Sequence, residues 1–188
     1  IFFTLDLNAL EDASLVPLFS ASSKLATYRP WIESIRLFRA HQLEPALEQL
    51  LHEKSVSGQR AWIRLYDETL ARLTFLLEDE TLGADPHTLT LTELLDLMSH
   101  PSPQIRQKAS EALDQELTKS LPLFSLIFNT LAKDKETEDT WRKYPHPLAE
   151  RNLSNQVEDE VVETLIQTTK KWYPKLSHRY YALKAKWM

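Results

Sequence analysis

The chain has 188 residues, 43% of them hydrophobic and 26% charged, with a net charge of −5 and no cysteine. That length builds one domain or two small ones, and the lack of cysteine excludes disulfides, thiolate metal sites and cysteine nucleophiles. Gly58 and Gly83 are the only glycines, which disfavours sandwiches, barrels, phosphate loops and dinucleotide folds, since all of these need glycine for tight turns or close backbone approach. The composition therefore predicts an all-α, multi-helix fold. No apolar run approaches the roughly 20 residues that span a bilayer. The start, Ile1-Phe2-Phe3-Thr4-Leu5-Asp6, lacks the basic segment of a signal peptide and reads as the middle of a longer chain.

In chain order, Leu25, Tyr28, Ile32, Ile35 and Phe38 make an apolar helical stripe over 22–39, with Pro30 marking a kink or a restart. Pro45 suits a first helical turn, followed by a face of Leu47, Leu50 and Leu51. Ser57 is placed to cap a helix whose buried side is Trp62, Leu65, Tyr66, Leu70 and Leu73. Over 76–92, Leu76-Leu77 and Leu89-Thr90-Leu91 flank an acidic, Gly-Pro-containing stretch, which predicts a short β-hairpin or an exposed loop. Thr90 with Glu93 forms a capping box for the helix of Leu94, Leu95, Leu97 and Met98. His100-Pro101-Ser102-Pro103 ends that helix and starts another, carrying Ile105, Ala109, Ala112, Leu113 and Leu117, which Pro122 is expected to break or bend.

A polar stretch, Asp134 to Thr140, leads into Trp141-Arg142-Lys143-Tyr144-Pro145-His146-Pro147, irregular because two prolines lie so close. Asn155 with Glu158 is placed to cap a helix faced by Val157, Val161, Leu165 and Trp172, which Pro174 stops before Ser177 opens the last one. Beyond Glu163 there is no acid, while Lys170, Lys171, Lys175, Arg179, Lys184 and Lys186 alternate with aromatics. Because the chain is acidic as a whole, this end reads as a helix with lysines in water and not as a nucleic-acid footprint. Residues 1–90 are expected to form a helical N-terminal region, and 91–188 a second helical region.

The chemistry-bearing motifs are largely missing. The helical zinc signature places two histidines one turn apart with a glutamate between them to activate water. Here His52-Glu53-Lys54-Ser55 is followed by Val56, so the second ligand is absent, and no other histidines pair at helical spacing. Catalytic and metal residues are therefore expected to be absent from this chain. The polar candidates are Arg142, Tyr144, Arg151 and Asn155, grouped in the irregular stretch where positioning residues tend to lie. Arg142 or Arg151 can bind a substrate carboxylate bidentately. Equally, these residues can tie an irregular connection to its neighbours.

Taken together, several segments resemble the oligoendopeptidase F family, zinc peptidases related in fold to thimet oligopeptidase. They are Phe2-Phe3-Thr4-Leu5-Asp6-Leu7-Asn8, Tyr28-Arg29-Pro30-Trp31-Ile32, Leu50-Leu51-His52-Glu53-Lys54-Ser55, Asn129 to Lys135, Trp141 to Pro147, Arg151-Asn152-Leu153-Ser154-Asn155 and His178 to Met188. The resemblance implies a cytoplasmic enzyme that hydrolyses short unfolded peptides. Its zinc would be held by an H-E-x-x-H helix C-terminal to this segment, polarising the scissile carbonyl and activating a water. It also implies that residues 91–188 lead into that catalytic domain. This chain would then be a non-catalytic part of the substrate cleft wall, partnered by the rest of its own polypeptide, with neither membrane nor nucleic acid involved. Lys143 stands where many relatives have glycine. The alternative is a stand-alone helical protein-binding module whose basic, aromatic C-terminal helix meets an acidic partner.

Overall fold

The computed structural model describes residues 2–78 and 87–187. In chain order its elements are α1 (Phe2–Ala9), α2 (Asp12–Ala21), α3 (Ser23–Ala26), α4 (Arg29–Arg36), a 3-10 turn (Leu37–His41), α5 (Pro45–Ser55), α6 (Gln59–Arg72), β1 (Phe75–Leu77), β2 (His87–Leu89), α7 (Leu91–Leu97), α8 (Pro103–Trp141), α9 (Ala149–Ser154), α10 (Asp159–Trp172) and α11 (Ser177–Trp187). Among the described residues the fold is all-α apart from one antiparallel hairpin, as the composition and the 76–92 pattern predict. Two compact units are formed, one of Ile1–Gln49 with Thr137–Met188 and the other of Leu50–Glu136.

In the first unit, Leu7, Leu15 and Ile32 are buried together, with Phe19, Leu25 and Ile35 packed around them. The stripe over 22–39 is divided as Pro30 suggests: the proline lies in the first turn of α4, where its missing N–H costs no hydrogen bond. Arg36 crosses from α4 to the end of α1. Its Nη1 donates to the Leu7 carbonyl at 2.6 Å and its Nη2 to the Leu10 carbonyl at 2.8 Å, with Asp12 completing the charge pair. A cation thus meets carbonyls that a helix C-terminus leaves without intrahelical partners.

The second unit is built on Phe75, Leu94 and Ala109, all buried, with Leu73, Leu89, Leu91, Leu97 and Leu113 around them. Strand alternation sends Phe75 and Leu77 inward and Leu76 outward, and the register pairs Phe75 with Leu89 and Leu77 with His87. The Thr90 capping box closes in both directions: the Glu93 N–H donates to Thr90 Oγ1, and the Thr90 N–H donates to Glu93 Oε2 at 2.8 Å.

Several sequence expectations are corrected. The N-cap of α6 is Gly58 and not Ser57; a Cβ at Gly58 would lie 3.1 Å from the Lys54 carbonyl oxygen. Helix α6 buries no residue: Trp62 is half-buried, and Leu65 and Tyr66 are exposed. Periodicity alone needs a neighbouring surface to become a core, and exposed Tyr66 meets Phe124 edge-on at 5.5 Å. Helix α8 does not break at Pro122, one of the two outcomes expected there, and runs on through the polar stretch for 39 residues in all. Losing one intrahelical hydrogen bond is tolerated in so long a ladder, and the polar end carries ion pairs at helical spacing, Lys133 with Glu136 and Glu138 with Arg142.

Candidate functional site in the connector between two helices

The four polar candidates lie between α8 and α10, on an irregular stretch and the short helix α9. Helix α8 ends in a Schellman motif. The Tyr144 N–H donates to the Asp139 carbonyl at 2.9 Å, and the Lys143 N–H to the Thr140 carbonyl at 3.2 Å. That motif requires a left-handed residue, and Lys143 takes the position at φ 60°. Glycine, lacking a Cβ, would adopt this conformation at lower cost than lysine does. The same motif recurs at the end of α9, where the Gln156 N–H donates to Leu153 and the Val157 N–H to Asn152, with Gln156 at φ 53°.

The reversal at Lys143 turns Arg142 toward the start of α5. Its Nη1 and Nη2 donate to the two carboxylate oxygens of Glu48 at 2.6 and 3.0 Å, a fork-on-fork pair. Nη2 and Nε also reach Glu138 Oε1 at 3.0 and 3.2 Å. Glu48 is buried, and its Oε1 accepts the Leu43 N–H at 2.9 Å. Burial pushes the Glu48 carboxyl up, yet the Arg142 guanidinium and the Leu43 N–H together outweigh it and hold the group below its ordinary value. The Glu48 bond raises the Arg142 guanidinium against the opposing effect of its burial, so the pair is ionised throughout the neutral range. His41 completes the cluster. Its Nδ1 lies 2.8 Å from the Arg142 carbonyl oxygen, which can only accept, so Nδ1 carries a proton there. The His41 ring stacks on Tyr144 at 4.0 Å between centroids.

A second cluster holds the far end of the connector. Asp159, in the first turn of α10, accepts the buried Asn152 side-chain amide at 2.7 Å and faces His146 Nε2 at 2.8 Å. The Asn152 bond, then the His146 bond, lower the Asp159 carboxyl.

Of the four candidates, Arg142 and Tyr144 are brought together through His41. Arg151 is exposed on α9, and its guanidinium has no hydrogen bond or ion pair among the described residues. Asn155 is the C-cap of α9, exposed, and is not the N-cap of α10; that position belongs to Glu158. Sequence reasoning did not find Glu48, His41, Asn152 or Asp159. The one local signal was the four-residue spacing of Glu138 and Arg142.

Among the described residues no three His, Cys, Asp or Glu side chains are grouped to hold a metal ion. The described residues do not fit a zinc site. Among the same residues no helix is long and apolar enough to cross a membrane.

Residues 6–75 match the family profile described as Oligopeptidase F. No curated protein matches the sequence. In fold, the chain is similar to oligoendopeptidase-F from Enterococcus faecium, with a TM-score of 0.81 and 23% identity, covering 98% of this chain and 35% of that one. A protein from Chlamydophila abortus described as a peptidase gives a TM-score of 0.79 at 18% identity, covering 98% of this chain and 31% of that one. The chain thus spans about a third of the length of the solved structures it matches. It resembles the oligoendopeptidase F family in sequence over residues 6–75 and shares the fold over nearly its whole length.

Proposed function

We propose that this chain is a non-catalytic helical part of an oligoendopeptidase F-like zinc peptidase that hydrolyses short, unfolded peptides. The observation that carries this reading is the match of residues 6–75 to the Oligopeptidase F profile, joined to a shared fold over 98% of the chain. Zinc and the hydrolytic groups belong, on this reading, to polypeptide outside these residues, and 91–188 lead into that catalytic domain. A cytoplasmic location accompanies the same reading.

Within it, the helices serve as cleft wall and limit substrate size by shape. Arg151, exposed and with its fork of donors open to solvent, is the residue suited to a peptide carboxylate. Arg142 and Tyr144 act through the connector that presents it, and Asn155 closes the helix that carries it. The test is a length series of unfolded peptides given to the complete gene product. Short peptides are expected to be cleaved and folded proteins spared, with Arg151→Ala raising KM for substrates having a free carboxylate near the cleaved bond. Equal cleavage of folded proteins would overturn the cleft-wall role. An Arg151→Ala enzyme with unchanged KM would overturn the carboxylate role.

A further inference from the structure

The short helix that carries Arg151 has little of its own to hold it. Its 6 residues are too few for an α-helix to stand in water by propensity, so α9 takes its place from tertiary contacts. The one residue it buries is Asn152, the chain neighbour of Arg151. Asn152 Nδ2 donates to Asp159 Oδ1 at 2.7 Å, and the other oxygen of that carboxylate lies 2.8 Å from His146 Nε2. A single carboxylate at the start of α10 thus ties down both α9 and the loop that leads into it. The Asp159 side chain is 57% exposed and that of His146 37%, so the ion pair adds little to global stability. What it does fix is local. Left-handed residues, Lys143 and Gln156, stand on either side of the tied segment, where the backbone changes direction.

We propose that Asp159 is a positioning residue for Arg151, holding α9 through Asn152 in the orientation that offers the Arg151 guanidinium to a peptide carboxylate. The proposal rests on the carboxylate-binding role given to Arg151 above. A guanidinium donates to a carboxylate as a planar fork, so the contact depends on direction as well as distance. A rotation of α9 that leaves the rest of the fold intact is therefore enough to lose the paired bonds.

The test exchanges donor and acceptor in the complete gene product. Asn152→Asp sets two carboxylates against each other. Adding Asp159→Asn restores the bond with its direction reversed, and leaves an amide oxygen to face His146. KM and kcat are measured on a peptide with a free carboxylate near the cleaved bond and on the same peptide with that carboxylate amidated. Asn152→Asp is expected to raise KM several-fold on the carboxylate peptide alone, with kcat kept, and the double replacement to return KM to the parental value. Asp159→Ala removes the acceptor without juxtaposing like charges; it is expected to give the same selective rise, and it decides the matter if Asn152→Asp does not fold. A merely structural role would raise KM on both peptides alike or lower kcat, and either result overturns the proposal. So does a selective loss that Asp159→Asn leaves unrepaired. Arg151→Ala, measured beside these variants, separates the two readings. If it spares KM, the carboxylate role of Arg151 falls, and this proposal with it. If it raises KM while Asn152→Asp and Asp159→Ala do not, this proposal alone falls. A complete product that cleaves neither peptide removes the peptidase reading and the proposal together.

Discussion

Glu48 and Arg142, 94 positions apart in sequence, meet through two parallel hydrogen bonds of 2.6 and 3.0 Å, and this pair fixes the connector to the start of α5. Their side chains are 10% and 21% exposed, so removing one partner strands the other charge in a poorly hydrated place. Glu48→Met or Arg142→Met is expected to cost about 3 kcal/mol, at the lower end for breaking a buried ion pair. The double replacement by methionine should recover most of that loss. Chemical denaturation of the four proteins in a double-mutant cycle measures it, and strictly additive losses would remove the coupling.

Acid should loosen the same contacts. Glu48, Glu93 and Asp159 are all held below their ordinary values of 4.5, 4.5 and 3.8. A lowered folded value means that the stabilisation is fully present above the unfolded value and is lost as pH falls through the folded one. Melting temperature is therefore expected to be flat near neutrality and to decline from about pH 5 downward, with a shallower decline in Glu48→Gln. A Glu48→Gln protein with the parental acid slope would show that this carboxylate does not contribute.

Lys143 carries its side chain into the left-handed region at φ 60° because the Schellman motif demands it. That conformation costs a non-glycine residue about 1–2 kcal/mol, part of which glycine gives back through its freer unfolded chain. Lys143→Gly is expected to stabilise by about 0.5–1 kcal/mol, and Lys143→Ala to give no such gain. Thermal melts decide it; a less stable Lys143→Gly would show that the lysine side chain outweighs the backbone strain.

In the second unit the core rests on Leu94, which is 0% exposed, and not on half-buried Trp62. Leu94→Ala is expected to cost about 2–5 kcal/mol through lost burial and a residual cavity. Trp62→Ala should cost less, despite the larger side chain. Equilibrium unfolding of both variants gives the order, and the reverse order would relocate the core to α6.

What could be read from sequence was what is local. The Thr90–Glu93 box, the Pro45 and Pro103 helix starts and the hairpin flanking the acidic stretch are set within a few residues, and each is found where its pattern lies. The loop centre, 79–86, lies outside the described residues. Ser57 and Asn155 do not cap the helices that follow them: Gly58, one residue on, and Glu158, three residues on, fill the N-cap positions instead. Pro122 does not interrupt α8, because a breaker's weight depends on how much helix stands on either side. Glu48 and His41 could not be found at all: nothing near them in the chain indicates a partner 94 or 101 residues away.

These helices are proposed to belong to a zinc peptidase whose chemistry lies elsewhere in the polypeptide. The most direct measurement is cleavage of a quenched fluorogenic peptide by the 188-residue chain and by the complete gene product, each with and without a zinc chelator. Cleavage by the complete product alone, abolished by the chelator and restored by added zinc, is the predicted result. A folded complete product that cleaves no member of a varied peptide panel, or a 188-residue chain that cleaves by itself, would contradict the account.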